Sequence, residues 1–434
     1  MAEQVDVIVV GAGLAGLGAA YHLAGEGLEV LVVERGDYPG AKNVSGGRLY
    51  LDPVRPLYPQ LFAEGELEHE AVERRVIKEG LAMLSDDCMT SLEFRSDEYV
   101  QGPAHSVTLL RGRFDRWLGE RVAERGAIVV PGYKVDDLVW DGGQVVGIQS
   151  AGDEVRSRVV LAADGALSFM AERAGLRGRF NPDHYALGIK EVVELPPGTI
   201  EDRFLVGPGQ GAAQLFFGSI SQGMLGGGFL YTNRDSLSVG LVLGMADMVA
   251  AGGRARAHEI MNAFKGRAEL DRLLAGGRVV EYSAHAIPET SHRDLKRLSL
   301  GGLLVLGDAA GLSLNMGISV RGMDFALASG AYAAETVRAA FDADDFSAPF
   351  LSRYDSALRE SFVLQDQVTF AGMHEFLKNP RLYNEYPVQM ARLFRRLFHV
   401  GAGPKERFWP AIWRTFRELS LGDALRDLWK IRGL

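Results

Sequence analysis

The sequence predicts a mixed α/β chain in which a Rossmann-type parallel sheet is combined with an antiparallel sheet and followed by a helical C-terminal segment. Three observations carry that prediction. The chain opens with an apolar run, a Gly-x-Gly-x-x-Gly turn, a helical stretch and a second apolar run ending in an acid. Two apolar runs far downstream each lead into an Asp and a Gly. Between those two, residues 184–245 alternate apolar and polar side chains between glycine-rich turns. The first two patterns suit buried parallel strands that feed ligand-binding turns, and the third suits antiparallel pairing.

Val5 to Val10 starts five residues into the chain without a basic leader and runs straight into glycines, so it reads as a first strand and not as a secretory signal. A cytoplasmic protein is the expectation. Gly11-Ala12-Gly13-Leu14-Ala15-Gly16 forms the turn, a helix runs to about Gly25, and Glu29 to Glu34 forms the next strand. Residues 56–100 lack this rhythm and read as an insertion. A helix from Phe114 to Arg125, a strand at Ala127–Val130, a three-stranded segment around Val135–Val146 and a strand at Val159–Ala162 complete a first unit, residues 1–180. Residues 181–282 form an antiparallel substrate unit. Residues 283–345 return to the first unit through the Leu303–Leu306 strand and a small-residue helix expected from about Gly317 to Ala340. Residues 346–434 form the C-terminal segment. Phe204–Asn233 is the longest uncharged stretch, but its glycines leave no apolar core of about 20 residues, so it reads as strands and turns.

A chain of 434 residues has ample core for two or three such units. Its 53 glycines exceed the usual share of about 7%, which implies many tight turns or close ligand contacts. The net charge of −9 argues against general nucleic-acid binding. A single cysteine, Cys88, cannot supply the thiolates of an iron–sulfur cluster, and the nine histidines show no metal-ligand spacing, so no metal is expected on this polypeptide. Residues 391–434 differ from the rest: ten Lys/Arg face four Asp/Glu, and Trp409, Trp413 and Trp429 fall here. Such a segment is either a helical cap packed on the body or an amphipathic surface for anionic lipid or a protein partner.

In the glycine turn, Gly11 permits the bend, Gly13 lets backbone approach a pyrophosphate and Gly16 lets helix pack on strand, with the amides after Gly13 facing the phosphates. Glu34 ends the second strand where a ribose acceptor belongs, with Arg35 beside it. FAD in place of NAD is indicated by Asp164-Gly165 and Gly307-Asp308, because a long extended cofactor needs its ribityl chain held at a second strand end. The alternative roles are a turn residue for Asp164 and a helix cap for Asp308. Arg111, or else Arg113, would reach the adenosine or pyrophosphate. A helix opening at Gly317 would aim its N–H groups at the charge of reduced flavin. No side-chain nucleophile is required.

These signatures resemble the p-hydroxybenzoate-hydroxylase-like FAD fold, which includes aromatic hydroxylases, geranylgeranyl reductases and electron-transfer-flavoprotein:quinone oxidoreductases. Within it, the segments Gly40–Tyr50, Leu187–Val192, Gly226–Tyr231, Glu281–His285 and Val320–Asp324 are similar to the FixC family, the quinone-oxidoreductase subunits of FixABCX-type complexes. The resemblance spans nearly the whole chain and is weakest over the last ~90 residues. It assigns Ser45 and Gly46 to the cofactor and places Gly226 and Gly227 against a quinone ring, where glycine removes the steric obstacle; a tight turn is the alternative for that pair. It implies electrons collected from an electron-transfer flavoprotein, in a system that bifurcates NADH electrons, and delivered to a membrane quinone by a protein peripheral to the inner face of the cell membrane. With only Cys88 present, the cluster would sit on a separate ferredoxin-like subunit. The competing readings are a geranylgeranyl-type isoprenoid reductase, against which Val44 counts because such reductases tend to carry cysteine there, and an NADPH-dependent aromatic hydroxylase.

Overall fold

The computed structural model describes residues 3–43, 47–63, 71–254, 256–289, 297–417 and Asp427. At its centre the Glu3–Val10 strand pairs in parallel with Val30–Glu34 on one side and Asp153–Ala162 on the other. Ile128–Pro131 extends the sheet beyond Val30–Glu34, and Leu303–Val305 beyond Asp153–Ala162, both parallel. Val7, Ile8 and Val9 are wholly buried, as a strand covered on both faces requires. The segment expected to hold three strands around Val135–Val146 holds two, Asp137–Asp141 and Gln144–Ser150, and their third partner in the meander is Asp153–Ala162, the strand expected separately at Val159–Ala162.

The fingerprint helix, Leu14–Ala24, lies against a long helix, Met323–Ala343. Their approach is so close that a Cβ on Gly330 would stand 2.5 Å from the Ala15 carbonyl oxygen. Small residues at this crossing therefore set the spacing between the two segments.

Among the described residues the second sheet has nine strands. Its path runs Arg278–Pro288, Tyr185–Glu194, Ser236–Gly244, Gly226–Thr232, Gln210–Gly218, Arg74–Leu84, Ser106–Thr108 and Arg48–Tyr50, with Met89–Arg95 paired to Arg74–Leu84. The stretch read from sequence as an insertion thus builds part of this sheet: Arg74–Leu84 pairs in parallel with Gln210–Gly218. Arg74 ties the two together, its buried guanidinium donating to the Gln210 carbonyl at 2.9 Å and to Glu201 at 3.0 Å. One face of the sheet packs on short helices through Ile200, Phe204, Ile260 and Phe264. The other carries Val76, Ala213, Phe229 and Tyr231.

The expected helix from Gly317 begins later, at Met323. Gly317 instead sits at φ +75° in a turn between Leu314–Asn315 and Val320–Arg321, which pair antiparallel. The glycine serves a hairpin and no helix start. After the long helix, a series of short helices leads into Arg381–Phe398 and Phe408–Arg417. Asp427 is buried and receives hydrogen bonds from Asn379 at 2.7 Å and from Arg381 at 2.8 and 2.9 Å.

Candidate functional site

A cavity of about 390 Å³ runs from the glycine turn to the C-terminal helices, walled by both sheets. At one end the fingerprint glycines have separate tasks. Gly11 takes φ +105°, and a Cβ there would lie 2.3 Å from the Ala163 carbonyl oxygen. A Cβ on Gly16 would lie 2.1 Å from the Gly11 oxygen, whereas Gly13 has 3.8 Å of clearance to Asn43 and 3.9 Å to Arg111. Gly13 and Leu14 line the open cavity. The following helix has no side-chain cap and no acid in its first turn, so its leading N–H groups remain available to an anion.

Glu34 stands at the cavity wall with its carboxylate accepting from the Ala12 N–H at 2.9 Å and the Gly36 N–H at 2.5 Å. It is thereby aimed, with lone pairs to spare for ribose hydroxyls. Arg35 lines the same wall and is otherwise exposed. Ser45 and Gly46 lie outside the described residues, as does Trp429.

Arg111 begins the Arg111–Glu124 helix and faces the turn, held by a two-pronged ion pair to Asp115 at 2.7 Å on each arm. Asn43 donates to the same carboxylate at 2.6 Å. Asp115 is wholly buried and is a site residue the sequence reading missed; the Arg-x-x-x-Asp spacing on one helix face was its signal. Arg113 turns elsewhere, to Glu73 at 3.2 Å.

Asp164 and Gly165 also line the cavity, but the Asp164 carboxylate accepts from Ser168 at 2.6 Å and from the Met170 N–H at 3.1 Å. It therefore fixes the start of the Phe169–Arg173 helix as well as the wall. Asp308 makes no capping bond and points into the cavity; burial pushes its carboxyl upward, opposed by the charges of Arg111 and Arg177. Gly307 brings that turn onto the fingerprint helix, since a Cβ would lie 2.7 Å from the Ala15 methyl. The two downstream motifs and the glycine turn thus converge on one cavity.

Gly317 is not on its wall; the hairpin around it supplies Asn315, Val320 and Arg321 instead. Gly226 and Gly227 are also off the wall. They lie within a strand, where a Cβ would meet the Val242 oxygen at 2.2 Å and the Phe216 oxygen at 2.6 Å. Tight strand packing explains both glycines. Gly226 nevertheless neighbours the far end of the cavity, because its backbone approaches the buried Tyr383 hydroxyl, which is in turn within electrostatic reach of the Glu289 carboxyl on the wall. Glu289, Asn315 and Tyr383 were not legible as site residues.

The far wall also includes Arg48, Tyr231, His285 and His374. Arg48 is clamped to Glu79 and lies 4.5 Å over the Tyr50 ring. Among the described residues no group of three or more His, Cys, Asp or Glu converges as a metal site. The donor set fits FAD: an uncapped helix end with a cation for a pyrophosphate, an aimed carboxylate for a ribose, and a long cavity for the ring system.

The comparisons agree. A family model described as FAD dependent oxidoreductase matches residues 6–99, and one described as the ETF-QO/FixC family C-terminal domain matches residues 373–433. The chain is 40% identical to the probable electron transfer flavoprotein-quinone oxidoreductase YdiS of Escherichia coli K12, over 98% of this chain and 97% of that protein. It is 40% identical to Protein FixC of the same strain, with 98% of each chain covered, and 35% identical to Protein FixC of Azotobacter vinelandii, covering 98% and 99%. In fold it is similar to a geranylgeranyl bacteriochlorophyll reductase-like protein of Thermoplasma acidophilum, with a TM-score of 0.72 at 20% identity over 99% and 100% of the two chains. It is similar also to the FAD-dependent halogenase CndH, with a TM-score of 0.66 at 19% identity over 91% and 90%. This protein is an FAD-dependent oxidoreductase and belongs to the ETF-QO/FixC family.

Proposed function

We propose that this chain takes electrons from an electron-transfer flavoprotein by way of a separate ferredoxin-like iron–sulfur subunit, holds them on FAD and reduces a membrane quinone to quinol. The observation that carries this reading is the end-to-end likeness, at 40% identity, to a protein named for that reaction. The reductase and halogenase likenesses, at 20% and 19% identity, concern the fold alone.

FAD supplies reversible storage of two electrons. The chain's own part would be to fix it: Glu34 would orient the ribose, Arg111 and the leading N–H groups of the Leu14–Ala24 helix would hold the pyrophosphate, and Asp308 would hold the ribityl chain. Gly226 and Gly227 stay in the proposal as the stretch of strand beside which the quinone ring would lie, next to Tyr383.

Access to a lipid-soluble quinone is supported by the C-terminal helices. Among the described residues no helix is long and apolar enough to cross a membrane. Phe398, Val400, Phe408, Trp409 and Trp413 are all exposed, Phe398 by 79% and Trp409 by 71%, beside several arginines. Aromatic and basic residues in this mixture suit peripheral docking on an anionic leaflet, which supports a location on the inner face of the cell membrane.

The test is anaerobic stopped-flow mixing of the reduced flavoprotein with a short-chain quinone, followed by flavin absorbance. Reoxidation by quinone, with no direct reduction by NADPH and no saturation of a geranylgeranyl chain, is the expected result. Rapid reduction by NADPH, or isoprenoid reduction in place of quinone turnover, would replace the reading with one of its two rivals.

A further inference from the structure

Most acids on the cavity wall or bound to it are committed. Glu34 accepts from two backbone N–H groups, Asp164 from Ser168 and Met170, Glu79 from Arg48, and Asp115 from Arg111 and Asn43. Asp308 faces two arginines. Glu289 differs. It closes the Arg278–Pro288 strand, its backbone N–H donates to the His184 oxygen at 2.8 Å, and its carboxyl lines the cavity. The side chain's one hydrogen bond among the described residues comes from the Asn315 amide at a long 3.5 Å, and no lysine or arginine pairs with it there. The Tyr383 hydroxyl neighbours it but donates to the Leu377 oxygen at 2.6 Å. Asp247 acts on the same tyrosine, and His285 and His374 face the cavity from its own strand and from the Met373–Leu377 helix.

We propose that Glu289 is the proton carrier of this site, giving the proton on its carboxyl oxygen to a quinone oxygen and recovering it from water. The inference rests on the quinone reading above. A donor protein that delivers electrons singly brings no protons, so conversion of one quinone to one quinol needs two electrons, which pass through FAD, and two protons from solvent. At each transfer the Glu289 O–H bond breaks, an O–H bond forms on the quinone, and the carboxylate left behind is reprotonated by water. The two protons pass in succession. An acid with this task must be neutral at working pH yet able to ionise, and burial pushes the Glu289 carboxyl up to about 7, with the Asn315 bond opposing that rise. The Tyr383 hydroxyl takes a hydrogen bond from the Gly226 backbone and lies within electrostatic reach of the carboxyl, so the donor and the strand assigned to the quinone ring share one neighbour.

The experiment compares wild-type holoprotein with Glu289→Gln and Glu289→Asp. Reduced-minus-oxidised infrared spectra should show a protonated-carboxyl band in wild type that is absent from the Gln variant. Quinone-driven flavin reoxidation should slow by about 100-fold or more in the Gln variant at unchanged quinone KM, with partial recovery in the Asp variant. The wild-type rate should fall as pH rises through about 7, and the slow Gln rate should not follow pH. Flavin absorbance at full occupancy checks folding. A Gln variant as fast as wild type with the same pH profile overturns the inference while leaving the quinone reading intact. A wild type that quinone does not reoxidise overturns both.

Discussion

Replacing Glu34 with alanine removes two acceptors for backbone N–H groups as well as the expected ribose contact. FAD affinity should therefore fall by about 1–3 kcal/mol, roughly 5- to 150-fold, measured by equilibrium titration of the apoprotein. Unchanged affinity would dismiss the assignment. Glu289 makes a second prediction through linkage. Its folded pKa of about 7 lies above the ordinary carboxyl value of 4.5, so its contribution to stability is complete below pH 4.5 and is lost as pH rises through 7. Between pH 6 and 8 the wild type should lose about 1 kcal/mol relative to Glu289→Gln, as read from urea unfolding at the two pH values. The contrast between these two acids also shows what a sequence can disclose. Glu34 was legible because it ends a strand at a fixed distance from a glycine fingerprint. Glu289 ends a strand too, but its meaning comes from Asn315 and Tyr383, which neighbour it only in the folded chain.

Among the elements, those with continuous apolar runs were readable: the central strands and the fingerprint helix stand where Val, Ile and Ala predict. The Arg74–Leu84 strand was not, because its partner Gln210–Gly218 lies more than a hundred residues away and Lys78, Glu79 and Gly80 interrupt its buried apolar residues, Val76, Ile77, Ala82 and Leu84. The Gly317 hairpin was misread as a helix start because a small-residue sequence suits either until pairing with Val320–Arg321 decides. The junction between Arg381 and Asp427 makes the element-scale prediction. Arg381, Tyr386 and Asn379 all donate to that one carboxylate and hold it well below the usual range. Asp427→Asn should free the tail, costing about 1.5–3 kcal/mol and exposing a protease-sensitive C-terminal segment while the flavin spectrum stays unchanged. A variant as protease-resistant as wild type would show that other contacts hold the tail.

For the whole molecule, the proposed docking surface predicts vesicle binding with a definite salt dependence. Holoprotein should cosediment with vesicles containing anionic lipid at low ionic strength and less at high, since screening shortens the reach of its arginines to about 3 Å at 1 M salt. The aromatic share should persist. Trp409→Ala with Trp413→Ala should weaken binding at every salt concentration, and equal binding by this variant would move the lipid-facing surface elsewhere. The central sheet carries a consequence of another kind. Asp153–Ala162 is flanked by Glu3–Val10, made early, and by Leu303–Val305, made about 140 residues later. At ordinary synthesis rates the ribosome needs roughly 7–30 s to span that gap. Throughout it, one edge of the apolar Val159–Ala162 end of that strand waits without its neighbour while the later strands of the second sheet are being made between the two. The nascent chain must therefore either shield that edge with a chaperone or postpone the parallel sheet, and premature release anywhere before residue 303 leaves an aggregation-prone half-sheet in place of a smaller working flavoprotein.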